Sequence, residues 1–513
     1  HTEVFLGLVA EFCAASGMRL NTDKTVVLPF RPWTETTEAL RQSLVDLGII
    51  VVGNEGQTKF LGIYYGPNLS DADRLQHLLT EMQTRCSLWV NRARTLRGQA
   101  VILQQIILPV LWYSASVCHV PPTGFQDRLH SLIARFVCRD KSSNALPQAW
   151  WFLPPGQGGL GITPVADMIR SLQLHMLCKV IIATRQTLGR DVPSWVEPII
   201  RLFDQAVQPW GRDFDILYAP VNTSPDYVVA RRLTRWTGLG AYWHFVLFCW
   251  NTQFRPKTAR LQLKADKRTT PLMDNVDITY GPKGRTLVGT SAPLGMLPIL
   301  ANHSLYRPVD FMLACETPVT AASLSELLRQ IVQGRISSVR SCTNFLDKVG
   351  RFFVEAPIGP QVAQYYCAFH TWVFDAYDLE ELTVARIRTG LLKCEVPALP
   401  LDRLGVEGSP PDAMWSRDLK LGKHLLPVYA DLLYRLQHNA LFLGYRFQHR
   451  TDSQTQCHHG CGALETAPHL FWFCSAAIEV WDPWLPAFQV FFDSKLEWEN
   501  ILLFKVEPKP EAK

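Results

Sequence analysis

Apolar residues in the first 70 positions switch between helical and strand-like spacing. The stretch TEVFLGLVAEFCAASG predicts a helix that ends at Ser16-Gly17, with one apolar face formed by Val4, Phe5, Leu8, Val9 and Phe12. A strand is predicted for TVVLPF (25–30) and a helix around TEALRQSLVDLG, ending at Gly48. A second strand is predicted for TKFLGIYYG (58–66).

After residue 70 the apolar spacing is helical only. A long helix is predicted over 71–96, with Leu75, Leu78, Leu79, Met82, Leu88 and Trp89 at helical spacing. A second helix follows over about 98–113, and 166–425 is mostly helical with proline-rich breaks. GSPPD (408–412) is the best linker candidate before the C-terminal segment. This order predicts an α+β chain that is mostly helical.

The composition is that of a globular protein with several cores. At 513 residues, 47% hydrophobic and 19% charged, the chain is too long for one core, so two to four domains are expected. The net charge of +5 is mildly basic and does not by itself indicate a partner. No signal peptide is visible, and the longest apolar run (101–117) is interrupted by Gln104 and Gln105. We therefore expect no secretion signal and no membrane partner.

Cysteine usage indicates a reducing compartment. The chain has 13 cysteines, an odd number, and all except three stand singly in apolar surroundings. Buried single thiols are typical of intracellular proteins, so an intracellular location is predicted. The remaining three lie within 457–474.

Five segments, in order, resemble parts of one known family. They are FCAASGMRLNTDKT (12–25), KFLGI (59–63), WVNRARTLRGQAVILQQIILPVLWY (89–113), LPPGQGGLGI (153–162) and DLLYRLQHNALFLGYRFQHR (431–450). These segments resemble reverse transcriptases of LINE-type (non-LTR) retrotransposons. In that family the corresponding parts are the stretch after the catalytic aspartate hairpin, the primer-grip strand, the thumb, a glycine turn, and the helix before a zinc-binding module. The resemblance covers roughly residues 1–165 and 425–485.

The resemblance implies a domain order and a set of partners. The implied domains are the C-terminal remnant of the polymerase palm (1–70), a thumb (71–165), a helical connector of unknown role (166–424) and a reverse-transcriptase zinc-binding domain (425–490). The remaining tail (491–513) is expected to be partly disordered because of its composition, KVEPKPEAK at the end. The implied partners are RNA and DNA as template and primer, with deoxynucleoside triphosphates as the only small-molecule substrate of an intact polymerase. A nuclear or cytoplasmic ribonucleoprotein is the expected setting.

The acids that such a polymerase needs are missing from this sequence. Two or three carboxylates hold paired Mg²⁺ ions that activate the primer 3′-oxygen. The sequence contains no adjacent pair of aspartates. VYADLLYRL (428–436) resembles the start of the YxDD signature, but Leu432 replaces the second aspartate and the leucine spacing predicts a helix. We therefore expect no DNA polymerisation by the chain as given, with Mg²⁺ needed only in an intact polymerase.

Four residues correspond to family positions near the polymerase chemistry. Lys24 matches a palm lysine close to the incoming nucleotide, which implies a vestigial general acid; a surface lysine after a turn is the alternative. Phe60, Leu61 and Gly62 match the primer grip, where a glycine permits close approach of the backbone. An ordinary core strand is the alternative for these three.

Two basic segments are candidates for nucleic-acid contact. The first, 85–141, contains Arg85, Arg92, Arg94, Arg97, Arg128, Arg135, Arg139 and Lys141. The first four lie on or near the predicted thumb helices, where they are expected to contact phosphates. The second, 231–268, begins with Arg231, Arg232 and Arg235 and interleaves cations with aromatic residues, a composition suited to phosphate contact and base stacking. Alternatively, AYWHFVLFCW (241–250) is core and the arginines merely flank it.

The spacing C-x3-C-x7-H-x4-C predicts a zinc site formed by Cys457, Cys461, His469 and Cys474. Four protein ligands leave no position for water, so a structural Zn²⁺ is favoured over a catalytic one. The three-residue spacer between the first cysteines departs from the commoner two, which leaves His458 or His459 as alternative ligands. A cluster of buried thiols without metal is the remaining alternative.

Two functions therefore remain open. The first is a piece of a retroelement RNA-directed DNA polymerase that binds RNA or DNA without the palm acids. The second is a non-enzymatic, zinc-stabilised helical protein that interacts with nucleic acid or protein.

Overall fold

The structure is a computed structural model. It describes residues 2–29, 31–139, 146–186, 192–208, 211, 213–219, 239–254, 258–260, 270–272, 275, 279–280, 285–286, 296–315, 321–332, 372–374, 377–391, 395–449, 455–493, 495–505 and 509. The chain divides into two compact units. Unit 1 comprises His1–Ser114, Val120–Ala166 and Lys393–Lys513, and unit 2 comprises Ala115–His119 and Asp167–Leu392.

Helices account for most of the described residues, which confirms the mostly helical prediction. They are α1 (Thr2–Ser16), α2 (Glu35–Asp46), α3 (Asp71–Trp89), α4 (Leu96–Ile102), α5 (Pro109–Val117), α6 (Asp127–Cys138), α7 (Ala149–Phe152), α8 (Val165–Gln186), α9 (Glu197–Val207), α10 (Gly240–Cys249), α11 (Met296–Asn302), α12 (Pro308–Ala314), α13 (Ala321–Val332), α14 (Val384–Leu391), α15 (Met414–Leu421), α16 (Pro427–Gln437), α17 (Ser475–Trp481), α18 (Leu485–Phe491) and α19 (Trp498–Leu503). The strands are β1 (Val26–Val27), β2 (Ile50–Val51), β3 (Thr58–Phe60), β4 (Ile63–Tyr65), β5 (Thr258–Arg260), β6 (Thr279–Tyr280), β7 (Arg285–Thr286), β8 (Trp372–Phe374) and β9 (Tyr377–Asp378).

The units are coarser than the predicted domains. The palm, thumb, zinc-module and tail ranges fall mainly in unit 1, and the predicted connector 166–424 is divided between unit 2 and unit 1 at residue 393. In unit 2 the described strands include an antiparallel sheet of order β5-β8-β9.

The N-terminal part of unit 1 contains a short parallel strand pair joined through α2. Val26 pairs with Ile50 and Val27 with Val51. Leu44 of α2 is buried, and the Trp33 indole N–H donates to the Val52 carbonyl oxygen at 2.8 Å. Strand β1 is shorter than the predicted 25–30, and β2 was not predicted, because two-residue strands leave too little alternation to read.

Helix α1 forms as predicted, but its apolar side chains remain exposed within the described structure. Val4, Phe5, Leu8 and Phe12 are between 59% and 65% exposed. The spacing of apolar residues therefore predicted the helix correctly, but it did not predict whether another part of the protein covers the apolar face of the helix.

The prediction of one continuous strand over 58–66 is wrong. The segment is a hairpin in which β3 and β4 pair antiparallel, with Phe60 opposite Ile63. Leu61 (φ 48°) and Gly62 (φ 85°) form the two-residue turn, and positive φ at both positions is typical of tight hairpin turns. A leucine adopts this conformation at a steric cost, so the sequence did not signal the turn.

The two predicted thumb helices divide into three shorter segments. Helix α3 ends at Trp89 instead of residue 96, because the Thr95 side chain caps α4 by accepting from the Gly98 N–H at 3.0 Å. A π-helical turn (Leu103–Ile107) and Pro109 then separate α4 from α5, and the axes bend by 46°. Among the described residues no single helix is long and apolar enough to cross a membrane, although this bent pair reaches that length and composition together.

The C-terminal part of unit 1 has its own core. Its buried residues are Leu404, Val406, Met414, Leu436, Leu443, Ala467, Trp498, Leu502 and Leu503. The Trp498 indole N–H donates to the Leu404 carbonyl oxygen at 2.7 Å, which ties the last helix to the segment before α15. Burying this much aliphatic surface fixes the helices that flank the Cys/His cluster.

The core of unit 2 includes much of α10. Val246, Leu247, Cys249 and Trp250 are buried, and the Trp250 indole N–H donates to the Leu217 carbonyl oxygen at 3.0 Å. The apolar run 241–250 is therefore core, as one of the two sequence interpretations held. In the same unit Arg307 and Asp215 form a buried ion pair at 2.9 Å.

Candidate metal centre and its surroundings

The four predicted metal ligands come from two short structural pieces. Cys457 and Cys461 lie in a loop closed by a bridge between Gln456 and Leu464. Gly460 (φ 77°) and Gly462 (φ 76°) let that loop turn tightly around Cys461. His469 begins a π-helical turn, His469–Phe473, and Cys474 is the N-cap of α17.

The ligand atoms have the spacing of a tetrahedral site. The atoms of Cys457, Cys461, His469 and Cys474 all lie within 4.8 Å of one another. The Cys457 and Cys474 sulfurs are 3.8 Å apart, and the Cys461 sulfur lies 3.0 Å from His469 Nε2. A tetrahedron with Zn–S bonds of about 2.3 Å has an S···S edge of about 3.8 Å. The cluster can therefore bind one metal ion, and its donor set suits Zn²⁺.

Backbone amides point at two of the sulfurs. Desolvation raises the pKa of the Cys457 thiol to about 11, against a hydrogen bond from the His459 backbone. Desolvation also acts to raise the pKa of Cys474, but hydrogen bonds from the Ala476 and Ala477 backbone and from neighbouring thiols bring it below its ordinary value. Amide N–H groups that face sulfur stabilise the thiolate, the form that binds metal.

The two alternative histidines lie outside the cluster. The His458 side chain is 56% exposed, and its Nδ1 is 3.4 Å from a Glu465 carboxylate oxygen. Its ring contacts that of His459 in a tilted arrangement, with centroids 4.0 Å apart and an interplanar angle of 41°. The geometry therefore selects the Cys3His set, and protein atoms fill all four positions, as in structural zinc sites. A bound zinc would cross-link the loop to the start of α17.

Glu465 joins this loop to the segment before it. Its carboxylate accepts the Gly444 N–H at 3.3 Å, and its carbonyl oxygen accepts the Tyr445 N–H at 3.1 Å. A Cβ atom on Gly444 would lie 2.7 Å from the Thr455 carbonyl oxygen, so only glycine fits there. Sequence reasoning missed Glu465, since a single glutamate in a loop carries no distinguishing pattern.

A buried histidine in an aromatic cluster was also missed. His438 is 3% exposed and contacts Trp150 (centroids 4.5 Å apart), Trp415 (4.9 Å) and Tyr434 (4.3 Å). Its Nδ1 lies 2.9 Å from the Tyr434 carbonyl oxygen. Burial lowers the pKa of His438 to about 4. The residue is therefore a neutral packing element at neutral pH.

Two further segments, 89–113 and 153–162, reach this aromatic cluster. The Arg97 guanidinium lies 4.7 Å from the centre of the Tyr434 ring and pairs with Asp418. The Tyr434 hydroxyl donates to the Gly158 carbonyl oxygen at 3.0 Å. Gly158 has a φ of 85°, and a Cβ there would lie 2.3 Å from the Trp415 ring. Segments 89–113, 153–162 and 431–450 therefore meet at one buried point.

Asp431, the aspartate of the YxDD-like segment, has a structural role. It lies on α16, and its carboxylate accepts the Leu96 N–H at 2.7 Å and the Arg435 Nε–H at 2.6 Å. Leu96 is the first residue of α4, so Asp431 satisfies one of the free amides at that helix start. The prediction of a helix here is confirmed.

The residues that resemble palm positions lie at exposed turns. Lys24 is exposed at the end of a 3₁₀ turn, where its backbone N–H donates to the Asn21 side chain at 3.1 Å. Phe60 is 63% and Leu61 71% exposed at the hairpin turn, so the alternative of a core strand is wrong for these two. Gly62 faces Tyr113, since a Cβ there would lie 3.7 Å from its ring.

The four described candidate arginines differ in environment. Arg85 pairs with Glu81 at 2.5 Å and donates to the Ile106 carbonyl oxygen at 2.7 Å. Arg92 is exposed with its guanidinium 5.2 Å from the Trp89 ring centre, and Arg94 is exposed. Arg97 is held by Asp418. Arg231, Arg232 and Arg235 lie outside the described residues.

Comparison with known proteins adds no family assignment: no protein-family model matches the chain, and no curated protein matches it.

Proposed function

We propose that this chain is a nucleic-acid-binding, zinc-stabilised portion of a LINE-type reverse transcriptase that lacks polymerase activity as given. One observation carries the proposal. Three of the segments that resemble the family converge on the Arg97–Tyr434–Gly158 contact, and the last of them is hydrogen-bonded to the Cys3His loop through Glu465. The three segments contact one another in the fold. This contact gives a physical reason why all three family-like segments are found together in one chain.

Binding would use the exposed cations and aromatics of unit 1. Of Arg85, Arg92, Arg94 and Arg97, the two that no described carboxylate pairs with are Arg92 and Arg94. Phe60 offers an exposed aromatic ring on which a base can stack, and Leu61 beside it adds exposed apolar surface. Zinc would fix the loop of the Cys3His cluster. We expect no Mg²⁺-dependent polymerisation because the sequence contains no adjacent pair of aspartates.

The second function, a helical protein-interaction module, is favoured by one specific feature. Helix α1 exposes Val4, Phe5, Leu8 and Phe12 on the described structure. Exposed apolar faces of this kind mark contact surfaces. A protein partner that covers α1 is compatible with nucleic-acid binding elsewhere on unit 1.

Zinc analysis tests the metal part of the proposal. The purified chain should contain one zinc ion, and Cys474→Ser should lose it because the sulfur forms one corner of the cluster. His459→Ala is the matched control and should keep full zinc, since His459 lies outside the cluster. Zinc that survives Cys474→Ser but not His459→Ala would contradict the ligand set.

Salt-dependent binding to single-stranded RNA tests the nucleic-acid part. Fluorescence anisotropy should show affinity falling with salt, and Arg92→Gln with Arg94→Gln should reduce the slope by about 1.4, or about 0.7 per lost phosphate contact. Arg41→Gln, at a half-buried arginine on α2 paired with Glu38, is the control. Binding that is equal at low and high salt, or primer extension with Mg²⁺, would refute the proposal.

A further inference from the structure

Helices α3 and α6 of unit 1 enclose a groove that the proposed function does not use. Its volume is about 570 Å³, within the range of small-molecule sites, roughly 300–1,000 Å³. Residues 83, 86, 87 and 90 line one wall at the spacing of a single helix face, and 127–136 line the other. Seven residues of helix give the groove a length of about 10 Å. We call this cavity the α3–α6 groove.

The floor of the groove is apolar. It is formed by Cys86 of α3, by Val90 directly after that helix, and by Leu132 and Phe136 of α6. Cys86 and Phe136 are buried, whereas Val90 and Leu132 are half-buried and form the part that a ligand can cover. Contact with an alkyl or aryl group would remove this surface from water, so the body of a ligand must be apolar.

The polar groups near one end of the groove are already engaged. Arg128 donates to the Gly124 carbonyl oxygen at 3.1 Å and to the Gln76 side chain at 3.0 Å. Asp127 accepts the Gly124 N–H at 3.0 Å and lies beside it with the opposite charge. Both side chains already have hydrogen-bond partners, and one of them is negatively charged, so this end is less suited to a carboxylate than the Arg135 end.

The other end offers one available cation. Arg135 lies two helical turns along α6 from Arg128, and it is exposed with no carboxylate paired to it among the described residues. Ser87 and Ser131 donate their hydroxyls to carbonyl oxygens of their own helices, at 3.1 and 2.9 Å. The site therefore presents one guanidinium without additional hydroxyl donors, which suits a singly charged carboxylate better than a doubly charged phosphate.

We propose that the α3–α6 groove binds a small amphipathic monocarboxylate, with its apolar body on Val90 and Leu132 and its carboxylate on Arg135. A medium-chain fatty acid is the simplest member of this class. The site involves neither the Cys3His cluster nor Arg92 and Arg94, although Arg135 belongs to the basic segment 85–141.

Calorimetric titration of the zinc-loaded full chain with decanoate tests the proposal. Decanoate should bind at one site, and octanoate should bind about fifteenfold more weakly, from two methylenes at about fourfold each. Decylamine, with the same body and a cationic head, should not bind. Arg135→Gln should weaken decanoate at least tenfold, and Arg201→Gln, an exposed arginine on α9, should change nothing.

Hydrogen exchange with and without decanoate locates the site. Protection should appear in α3 and α6, and Leu132→Asp should abolish it. Because Arg135 is exposed, Arg135→Gln keeps the test valid even where Leu132→Asp fails to fold. Equal binding of decylamine, no effect of Arg135→Gln, or protection confined to other helices would overturn the proposal. Displacement of decanoate by single-stranded RNA would instead make the groove part of the nucleic-acid surface and also overturn it.

Discussion

Protonation of His438 should destabilise the aromatic cluster of unit 1. The folded state holds this imidazole neutral among three aromatic rings, with a pKa of about 4 against an ordinary value of 6.5. Because folding lowers the pKa of His438, the folded state binds a proton more weakly than the unfolded state. The fold is therefore more stable when the imidazole is neutral than when it is protonated. The stabilisation is therefore complete above pH 6.5 and is lost as the pH falls from 6.5 towards 4, below which both states are protonated.

The size of the effect follows from the shift in pKa. A change from 6.5 to about 4 corresponds to about 3 kcal/mol of folding free energy, at about 1.4 kcal/mol per pH unit. His438→Gln removes the titration while keeping a hydrogen-bond donor for the Tyr434 carbonyl oxygen. The variant should be less stable at pH 7 by about 1–3 kcal/mol, the usual cost of imperfect core packing. This deficit should shrink by about 3 kcal/mol between pH 7 and pH 4.

Local hydrogen exchange is the suitable assay, because a chain of two units need not unfold in one step. The amides of α16 report opening of the cluster, and those of α9 in unit 2 serve as an internal reference. Comparing wild type and variant at each pH cancels the titration of carboxylates and metal ligands. His424→Gln, an exposed histidine just before α16, is the matched control and should leave the profile unchanged.

A free-energy difference between wild type and His438→Gln that stays constant from pH 7 to pH 4 would refute the reasoning. It would mean that His438 is protonated in the folded chain or that the cluster opens too easily to resist protonation. A parallel change in His424→Gln would equally show that the effect does not come from burial.

Three further substitutions test the packing of each unit by denaturant unfolding. Gly158→Ala should destabilise unit 1 by about 1–3 kcal/mol because its Cβ meets the Trp415 ring, whereas Gly156→Ala, with nothing within 4 Å, should be neutral; equal effects would contradict the contact. Asp431→Ala should cost about 1–3 kcal/mol by leaving the amide at the start of α4 without its acceptor, and unchanged exchange of the α4 amides would count against that role. Asp215→Ala should cost unit 2 up to about 3–5 kcal/mol, because buried Arg307 would lose its ion-pair partner and keep only Asp310 as a nearby carboxylate, and a double replacement of Asp215 and Arg307 by apolar residues should recover most of it.

The helices and strands that were predicted correctly are those determined by the spacing of apolar residues within the segment itself. Helix α3 buries Leu75, Leu78 and Met82 at the expected spacing. Its end was misplaced because Thr95 starts a new helix by capping Gly98, and a cap inside an apolar run is hard to distinguish from a helix interior. The β3–β4 hairpin was read as one strand because Leu61 occupies a left-handed position that the sequence gives no reason to expect.

The metal ligands were predictable because their spacing is itself the signal. Cys457, Cys461, His469 and Cys474 lie within 18 consecutive residues, and the structure brings them together as a set. His438 could not be predicted as a buried cluster member, because its partner Trp150 is distant in sequence. The contact of Asp431 with Leu96 spans 335 residues, and no local pattern encodes a partner so far away.

The interrupted chain order of unit 1 has a consequence during synthesis. A ribosome adds about 5–20 residues per second, so Asp431 emerges roughly 20–70 s after the amide of Leu96 that it binds. In that interval all of unit 2 has been translated, while Trp150 still lacks the aromatic partners that cover it in the finished fold. The growing polypeptide therefore displays unfinished apolar surface until its last segment arrives. Yield in a cell should then depend on chaperones that hold this surface, and a premature stop before residue 393 should give aggregates even if the inserted unit folds.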